Sequence, residues 1–336
     1  MRRPQENMLH GLAGLLPSFS RSEVVVVGDF VADEYVYGET ERISREAPVL
    51  IVRYEASELK AGGAGNAAQN LAALGVRVRA VGLVGDDALG AALVAVLERA
   101  GIDVSGLLRV PGRQTESKTR ILAGGRSTRR QQMIRVDRSP AEPPPPTVMK
   151  RLLRELERAG RASSAILASD YGSGALGPDA IDVLRRLKRG GVPVCADSRY
   201  QLRAYTGLTM VKPNEVELET ASGVSVQRPG GLERAARALQ RRVDCDVLLV
   251  TRGRNGMSVF RKGLPPVHIP AHGSQDAVDV TGAGDTVAAT FSAGLAAGGD
   301  AVSAARLANV AGALVVQKQG TATVTREELA AELLRP

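Results

Sequence analysis

Short apolar runs alternate with helical patterns of about 10–15 residues along most of this chain, and that alternation constrains its fold more than any other feature. Val24–Val27 is a continuous apolar run ending at Gly28-Asp29, the form of a strand buried on both faces. Helix patterns at Ala64–Leu74 and Asp87–Ala100 enclose a strand at Val78–Leu83. Beyond Glu142 and the stiff run Pro143–Pro146, helices are expected at Thr147–Ala159, Pro178–Arg189, Glu215–Ala221 and Gly231–Arg241. Strands interleave with them at Ala165–Ala168, Val192–Ala196, Thr209–Val211 and Asp246–Thr251. Helices at Gly284–Ala297 and Ala301–Lys318, with a short one from Arg326, close the pattern. Parallel strands need crossovers of this length, so the fold class is α/β, a mainly parallel central sheet with helices on both faces. Two stretches break the alternation: Tyr35–Lys60, and Glu116–Leu122 followed by Gln131–Val136. Both are β-like without helices, and they are expected to form a small lid over the sheet's carboxyl edge, where open α/β sheets bind ligands. The organisation read from this is an extension over 1–22 and one domain over 23–334, with lid segments at about 35–60 and 112–138.

Composition narrows the function classes. Of 336 residues 44% are hydrophobic, enough for a packed core, and no stretch approaches the ~18 apolar residues of a membrane span. Pro4, Glu6, Asn7 and His10 break any signal-peptide pattern after Met1-Arg2-Arg3. Two cysteines and three histidines argue against a disulfide framework or a zinc site, so a reduced cytoplasm is the expected compartment. The net charge of +8 is concentrated: between Gly112 and Arg138 eight basic residues face only Glu116 and Asp137. With 3% aromatics and no Trp there is little to stack on bases, so a pocket for an anionic small molecule is expected in place of a nucleic-acid or membrane surface. A plain solvated basic face is the bland alternative.

The strongest chemical signal is Asp279-Val280-Thr281-Gly282-Ala283-Gly284-Asp285-Thr286, which opens directly into a helix. A Gly-Ala-Gly turn at a helix N-terminus leaves amide N–H groups unpaired, a cradle for a phosphate carrying developing charge. Asp285 just beyond it is placed to take a proton from an attacking hydroxyl, although a first-turn carboxylate is also simply favoured by the helix dipole. Asn214 and Glu217 stand three apart at a helix start; an amide and a carboxylate there suit hydrated Mg²⁺ on a nucleotide, and equally suit a capping box. Asp29 and Asp33 after the first strand, with Gly62, Gly63 and Asn66 opening the first helix, suit a polyhydroxylated ligand. Thr251-Arg252-Gly253 and Gly256 put exposed backbone at a strand end. Walker-type and protein-kinase motifs are absent.

In this order the motifs resemble the ribokinase or PfkB family of sugar kinases over about Val24 to Thr325. The resemblance implies a ribokinase-like fold, with Asp285 as catalytic base and Gly282, Ala283 and Gly284 as anion hole. It implies Asn214 and Glu217 organising Mg²⁺ and the ATP phosphates, and Asp33 as main sugar ligand aided by Gly63 and Asn66. Thr251, Gly253 and Gly256 would contact the nucleotide, Asn309 would approach the adenine, and Asp279 and Thr281 would hold a monovalent cation such as K⁺. Lid sheets of this family often pair between subunits, which implies a homodimer.

A narrower resemblance runs through Arg42–Val49, Arg130–Asp137, Ser169-Asp170-Tyr171 and Gly174-Ala175-Leu176, which look like the heptose-7-phosphate kinases of lipopolysaccharide-core synthesis. Those enzymes phosphorylate C1 of an already anionic sugar, which gives the basic lid a purpose; Lys118, Arg120, Arg130 and Arg135 are the candidates for the existing phosphate. Two positions depart from that pattern: Asp197-Ser198-Arg199 replaces Asp-Pro-Lys, and Gly172-Ser173 lacks a lysine commonly found there. No His-x-Gly-His motif of a fused nucleotidyltransferase occurs, so either that second activity is expected from another protein or the substrate differs. Another sugar or nucleoside kinase, for fructose, ribose or adenosine, and a non-catalytic nucleotide or sugar binder are the alternatives.

Overall fold

The computed structural model of the chain describes residues 11–125, 130–273 and 276–335. The first ten residues of the N-terminal extension and the lid-loop residues Arg126 and Arg129 counted above lie outside the described residues. In chain order the elements are β1 (Glu23–Ile43), β2 (Leu50–Gly63), α1 (Ala64–Ala73), β3 (Arg77–Gly85), α2 (Ala88–Arg99), β4 (Asp103–Val110), β5 (Ser117–Gly124) and β6 (Gln131–Arg138). They continue as α3 (Pro146–Ala162), β7 (Ala165–Asp170), α4 (Pro178–Arg189), β8 (Val194–Ser198), β9 (Met210–Val211), α5 (Glu215–Ser222) and α6 (Gly231–Val243). The last third holds β10 (Val247–Thr251), β11 (Met257–Arg261), β12 (Val267–Ile269), α7 (Ala283–Ala296), α8 (Ala301–Val315) and α9 (Arg326–Leu333).

The central sheet runs in the order β12-β11-β10-β9-β8-β7-β1-β3-β4 and is parallel from β4 to β10, with β11 and β12 antiparallel at one edge. Helices cover both faces, as the alternation of strands and helices predicts. The valine run shows why: Val24 and Val26 enter one core with α1, α7, α8 and α9, while Val25 and Val27 enter the other with α3, α4 and α6. Each fully buried valine contributes about 1.5–3 kcal/mol, which fixes β1 at the centre of the sheet. Phe19, in a short 3₁₀ turn before β1, is also fully buried in the first core.

Two features differ from the sequence reading. β1 is one strand of 21 residues: Glu23–Asp29 pairs in the central sheet, and from Phe30 onward it pairs with β2 and β5 in the lid. Burial is continuous on both faces through Asp33 and thins only from Glu34 on, so the sequence suggests two elements where the backbone makes one. β4, β11 and β12 went unread: the alternation of β4 is interrupted by Gly106, β11 is buried along nearly all of its five residues, and β12 is three residues long.

β1 is also where the strand order reverses, with β3 on one side and β7 on the other. In open α/β sheets ligands bind in the crevice at such a point, outside the carboxyl ends of the strands. The lid stands over that crevice. α7 starts there too, and it is buried nearly all round, from Asp285 through Gly294, by its small side chains.

Candidate active site

Asp197, Lys212, Glu217 and Asp285 each sit at the carboxyl end of a parallel strand or the amino end of a helix. Asp285 lies in the first turn of α7, and Gly282 caps that helix in the left-handed conformation (φ 78°). A Cβ built on Gly282 would lie 2.5 Å from Asn66 Nδ2, so the turn needs glycine both for its dihedral and for the close approach of α1. The amides of Gly282, Gly284 and Asp285 have no partner among the described residues, whereas the Ala283 amide donates to the Val280 carbonyl at 3.2 Å. Three N–H groups of this turn are therefore left without a partner among the described residues, and that of Ala283 is not one of them.

The Asp285 carboxylate is held at both ends. Asn66 Nδ2 donates to Oδ2 at 2.8 Å and the Tyr171 hydroxyl donates to Oδ1 at 2.9 Å. Asn66 is itself oriented: Asn70 Nδ2 donates to Asn66 Oδ1 at 3.2 Å, and Asn70 Oδ1 accepts from the Thr286 hydroxyl at 2.9 Å. This buried relay settles which way both amides face. Burial pushes the Asp285 carboxyl up to about 7, reinforced by the nearby Asp197 and opposed by the bonds from Asn66 and Tyr171 and by Lys212. A carboxyl poised there changes charge near neutrality, as a general base must.

Lys212 follows β9 and is buried, its Nζ 3.1 Å from Asp197 Oδ1 and 3.5 Å from where a Gly284 Cβ would stand. Burial works against its charge, but the Asp197, Glu217 and Asp285 carboxylates together hold the ammonium above its usual range. A fixed positive charge thus faces the cradle. Asn214 and Glu217 form the full capping box of α5, with both reciprocal bonds at 2.8 Å. The capping box leaves Glu217 Oε1 and Asn214 Nδ2 unbonded, and both residues line the cavity.

That cavity, of about 700 Å³, is lined at one end by Asp285 and the α7 turn and at the other by Thr251, Gly253, Gly256 and Asn309. Tyr171, Asp197 and Lys212 also line it, and sequence reasoning gave none of them a role. Their signal was present only as position, each directly at or after a strand end.

The lid supplies the other side. Asp33 is buried and its Oδ1 pairs with Arg120 Nη1 at 2.7 Å; a Cβ on Gly62 would lie 2.3 Å from Asp33 Oδ2, so only glycine leaves room for it. Asp29 takes a different place: its carboxylate accepts from the amides of Tyr171, Ser173 and Ala175 at 2.8, 3.1 and 3.2 Å and anchors the loop after β7. Gly63 lies beneath Tyr171, to which a Cβ would come within 3.4 Å. The four basic candidates are not brought together. Lys118, opposite Asp33 in register, bonds Glu116 Oε1 at 3.2 Å and lies over the Tyr171 ring. Arg130 bonds Glu55 at 2.5 Å in a second cavity, of about 680 Å³, that it shares with Lys60, Tyr35 and Asp279. Arg135 is spent on Asp137 on the exposed strand β6. Lys60, unpredicted, stands beside Asp33 in register, its Nζ 3.7 Å from Glu58 Oε2 and 5.4 Å from the centre of the Tyr35 ring.

Asp279 Oδ1 and Oδ2 accept from the amides of Thr281 and Gly320 at 2.9 and 2.8 Å, bonds that outweigh burial and hold the carboxyl below its ordinary range. Among the described residues no group of three or more His, Cys, Asp or Glu could hold a metal ion by itself. No described helix is long and apolar enough to cross a membrane.

A poised carboxylate beside an amide cradle, under a β-lid on a parallel α/β sheet, defines a ribokinase-like sugar kinase. The structure superposes on Arabidopsis thaliana ribokinase complexed with ribose and ATP with a TM-score of 0.73 and 21% identity, covering 93% of this chain and 98% of that one. For Escherichia coli phosphofructokinase-2 in complex with potassium the TM-score is 0.73 at 19% identity, covering 94% and 99%. The pattern of the pfkB family carbohydrate kinases matches residues 21–328, and the chain belongs to that family. It is 40% identical over 314 residues to bifunctional protein HldE of Trichlorobacter lovleyi, and 42% identical over 319 residues to bifunctional protein HldE of Methylococcus capsulatus. These matches cover 93% and 94% of this chain but 63% and 65% of those relatives, so the chain spans less than two thirds of their length.

Proposed function

We propose that this sugar kinase transfers the γ-phosphoryl group of ATP to the C1 hydroxyl of D-glycero-β-D-manno-heptose 7-phosphate, a step of ADP-heptose and lipopolysaccharide-core synthesis. The observation that carries the chemistry is the placement of Asp285, a buried carboxyl poised near neutrality beside three unpaired amides. The substrate rests on the lid motifs and on the identity of about 40% to the HldE relatives.

In this reading the sugar lies between Asp33 of the lid and Asp285, and the nucleotide fills the cavity toward Asn309. Asp285 takes the hydroxyl proton as that oxygen attacks the γ-phosphorus in line, and ADP leaves. The amides of Gly282, Gly284 and Asp285, with the Lys212 ammonium, meet the charge on the transferring group. Glu217 and Asn214, one carboxylate and one amide, fit hydrated Mg²⁺ held mainly by phosphates and water, which when bound neutralises phosphate charge. The Asp279–Thr281 turn, with its carboxylate kept anionic, fits a monovalent cation, and dependence of turnover on K⁺ tests that assignment.

The lid's outer face exposes Ile134 and Val136 on β6, with Ile43 and Leu50 at its tip. In this reading a second copy of the chain covers this exposed apolar face in a homodimer, and a monomer by sedimentation at micromolar concentration refutes it. The substrate test is ADP release from ATP and Mg²⁺ with heptose 7-phosphate, fructose, fructose 6-phosphate, ribose and adenosine. Turnover confined to heptose 7-phosphate is the expected result. Turnover on a neutral sugar in its place refutes the substrate assignment.

A further inference from the structure

The loop after β7 is held more firmly than a connection needs to be, and it carries one side chain to the base. The Asp29 carboxylate gathers three successive alternate amides of this loop, those of Tyr171, Ser173 and Ala175. The amide of Gly172 donates to Asp170 Oδ1 at 3.0 Å, and Asp170 Oδ2 is tied to the Ser198 hydroxyl at 2.7 Å. Two buried carboxylates from two neighbouring strands thus fix the backbone on either side of Tyr171. The Tyr171 hydroxyl reaches Asp285 Oδ1 at 2.9 Å, while the ammonium of Lys118 from the lid lies 5.8 Å from its ring centre.

We propose that Tyr171 is a positioning residue for the base: its hydroxyl, working against Asn66 on the opposite oxygen, sets the plane of the Asp285 carboxylate and favours its ionised form. An ionised carboxylate offers about four lone-pair positions. Tyr171 and Asn66 use one on each oxygen, so the remaining pairs have fixed directions toward the incoming hydroxyl. A tyrosine is suited to this because its phenol is a donor only weakly inclined to give up its proton, and burial beside the Asp285 carboxylate raises it well above its ordinary range. The charged groups facing this pair are Asp197 and Lys212 on the Asp285 side, and Arg199 and Lys118 around the ring. None of these donates a hydrogen bond to Asp285 Oδ1, so the Tyr171 bond is separable from them by a single-atom change.

The proposal rests on the kinase reading for what the base does, but its test has a readout that needs no substrate. In protein labelled with ¹³C at the aspartate carboxyls, and with Asp285→Asn assigning the resonance, Tyr171→Phe should raise the pH at which Asp285 titrates by about one unit. The acid limb of kcat/KM for the sugar should move upward by the same amount, since it reports the free enzyme. An unmoved carboxyl titration overturns the proposal whatever the enzyme's substrate proves to be. A moved titration with an unmoved acid limb, or a change confined to KM, overturns the positioning role. If Tyr171→Phe loses its fold by circular dichroism, global replacement of the six tyrosines with 3-fluorotyrosine keeps the ring and strengthens the donor. The Asp285 titration must then move downward, and an unmoved one overturns the proposal.

Discussion

Replacing Asp285 by asparagine should abolish most turnover while making the protein more stable above neutral pH. The carboxyl is raised from 3.8 to about 7 in the folded chain, with burial the largest cause. Between those two values the native state holds a proton that the unfolded state has released, so the wild-type protein loses stability as pH climbs through that window. About three units at 1.36 kcal/mol each set a ceiling of about 4 kcal/mol on that loss. The amide offers one acceptor where the carboxylate served both Asn66 and Tyr171, which returns about 1–3 kcal/mol. The net expectation is that Asp285→Asn is about 1–3 kcal/mol more stable than wild type at pH 8.5, a rise of a few degrees in Tm. At pH 4, where the wild-type carboxyl is protonated, the advantage disappears. Turnover at pH 8.5 should fall roughly 10²–10⁴-fold. Thermal melts across pH 4–9 and coupled ADP release measure both quantities on the same samples. A variant no more stable than wild type at pH 8.5 refutes the buried-charge account, and unchanged turnover refutes the base assignment.

Three further outcomes follow from the same geometry. Gly282→Ala forces a left-handed alanine, costing about 1–2 kcal/mol, and drives a methyl into Asn66; denaturant melts should show that cost and kcat should drop about 10²-fold, as when a cradle donor is displaced. Asn214→Ala should cost about 1 kcal/mol of stability and raise the KM for ATP, whereas Asn214→Ser keeps the cap and should raise the KM alone; equal stability of all three proteins would refute the capping box. Burial pushes the Cys195 and Cys245 thiols up to about 12, so neither should react with an aromatic disulfide reagent at pH 8 until the chain is denatured, when both should.

The sequence by itself determined the architecture, because periodicity is a local property. The valine run, the helix patterns and the caps at Asp87 and Thr325 each carry their own instruction, and the chain executes them within a few residues. It also placed Asp285 in the first turn of a glycine-capped helix, because the turn and its aspartate are written in consecutive residues. What the sequence did not reveal were the partners. Nothing near Tyr171 in the chain points to Asp285, 114 residues away, or near Lys212 to its place beside the α7 turn. Asp29 and Asp33 read alike as carboxylates after a strand, yet one anchors a loop and the other faces the lid's arginine. The lid's charge likewise read as a single basic patch, but paired side chains divide it among separate carboxylates. Charge, burial and hydrogen bonding depend on distance in space. They were decided only when β1, β7, β8, β9 and α7 brought their ends together at the reversal of the sheet.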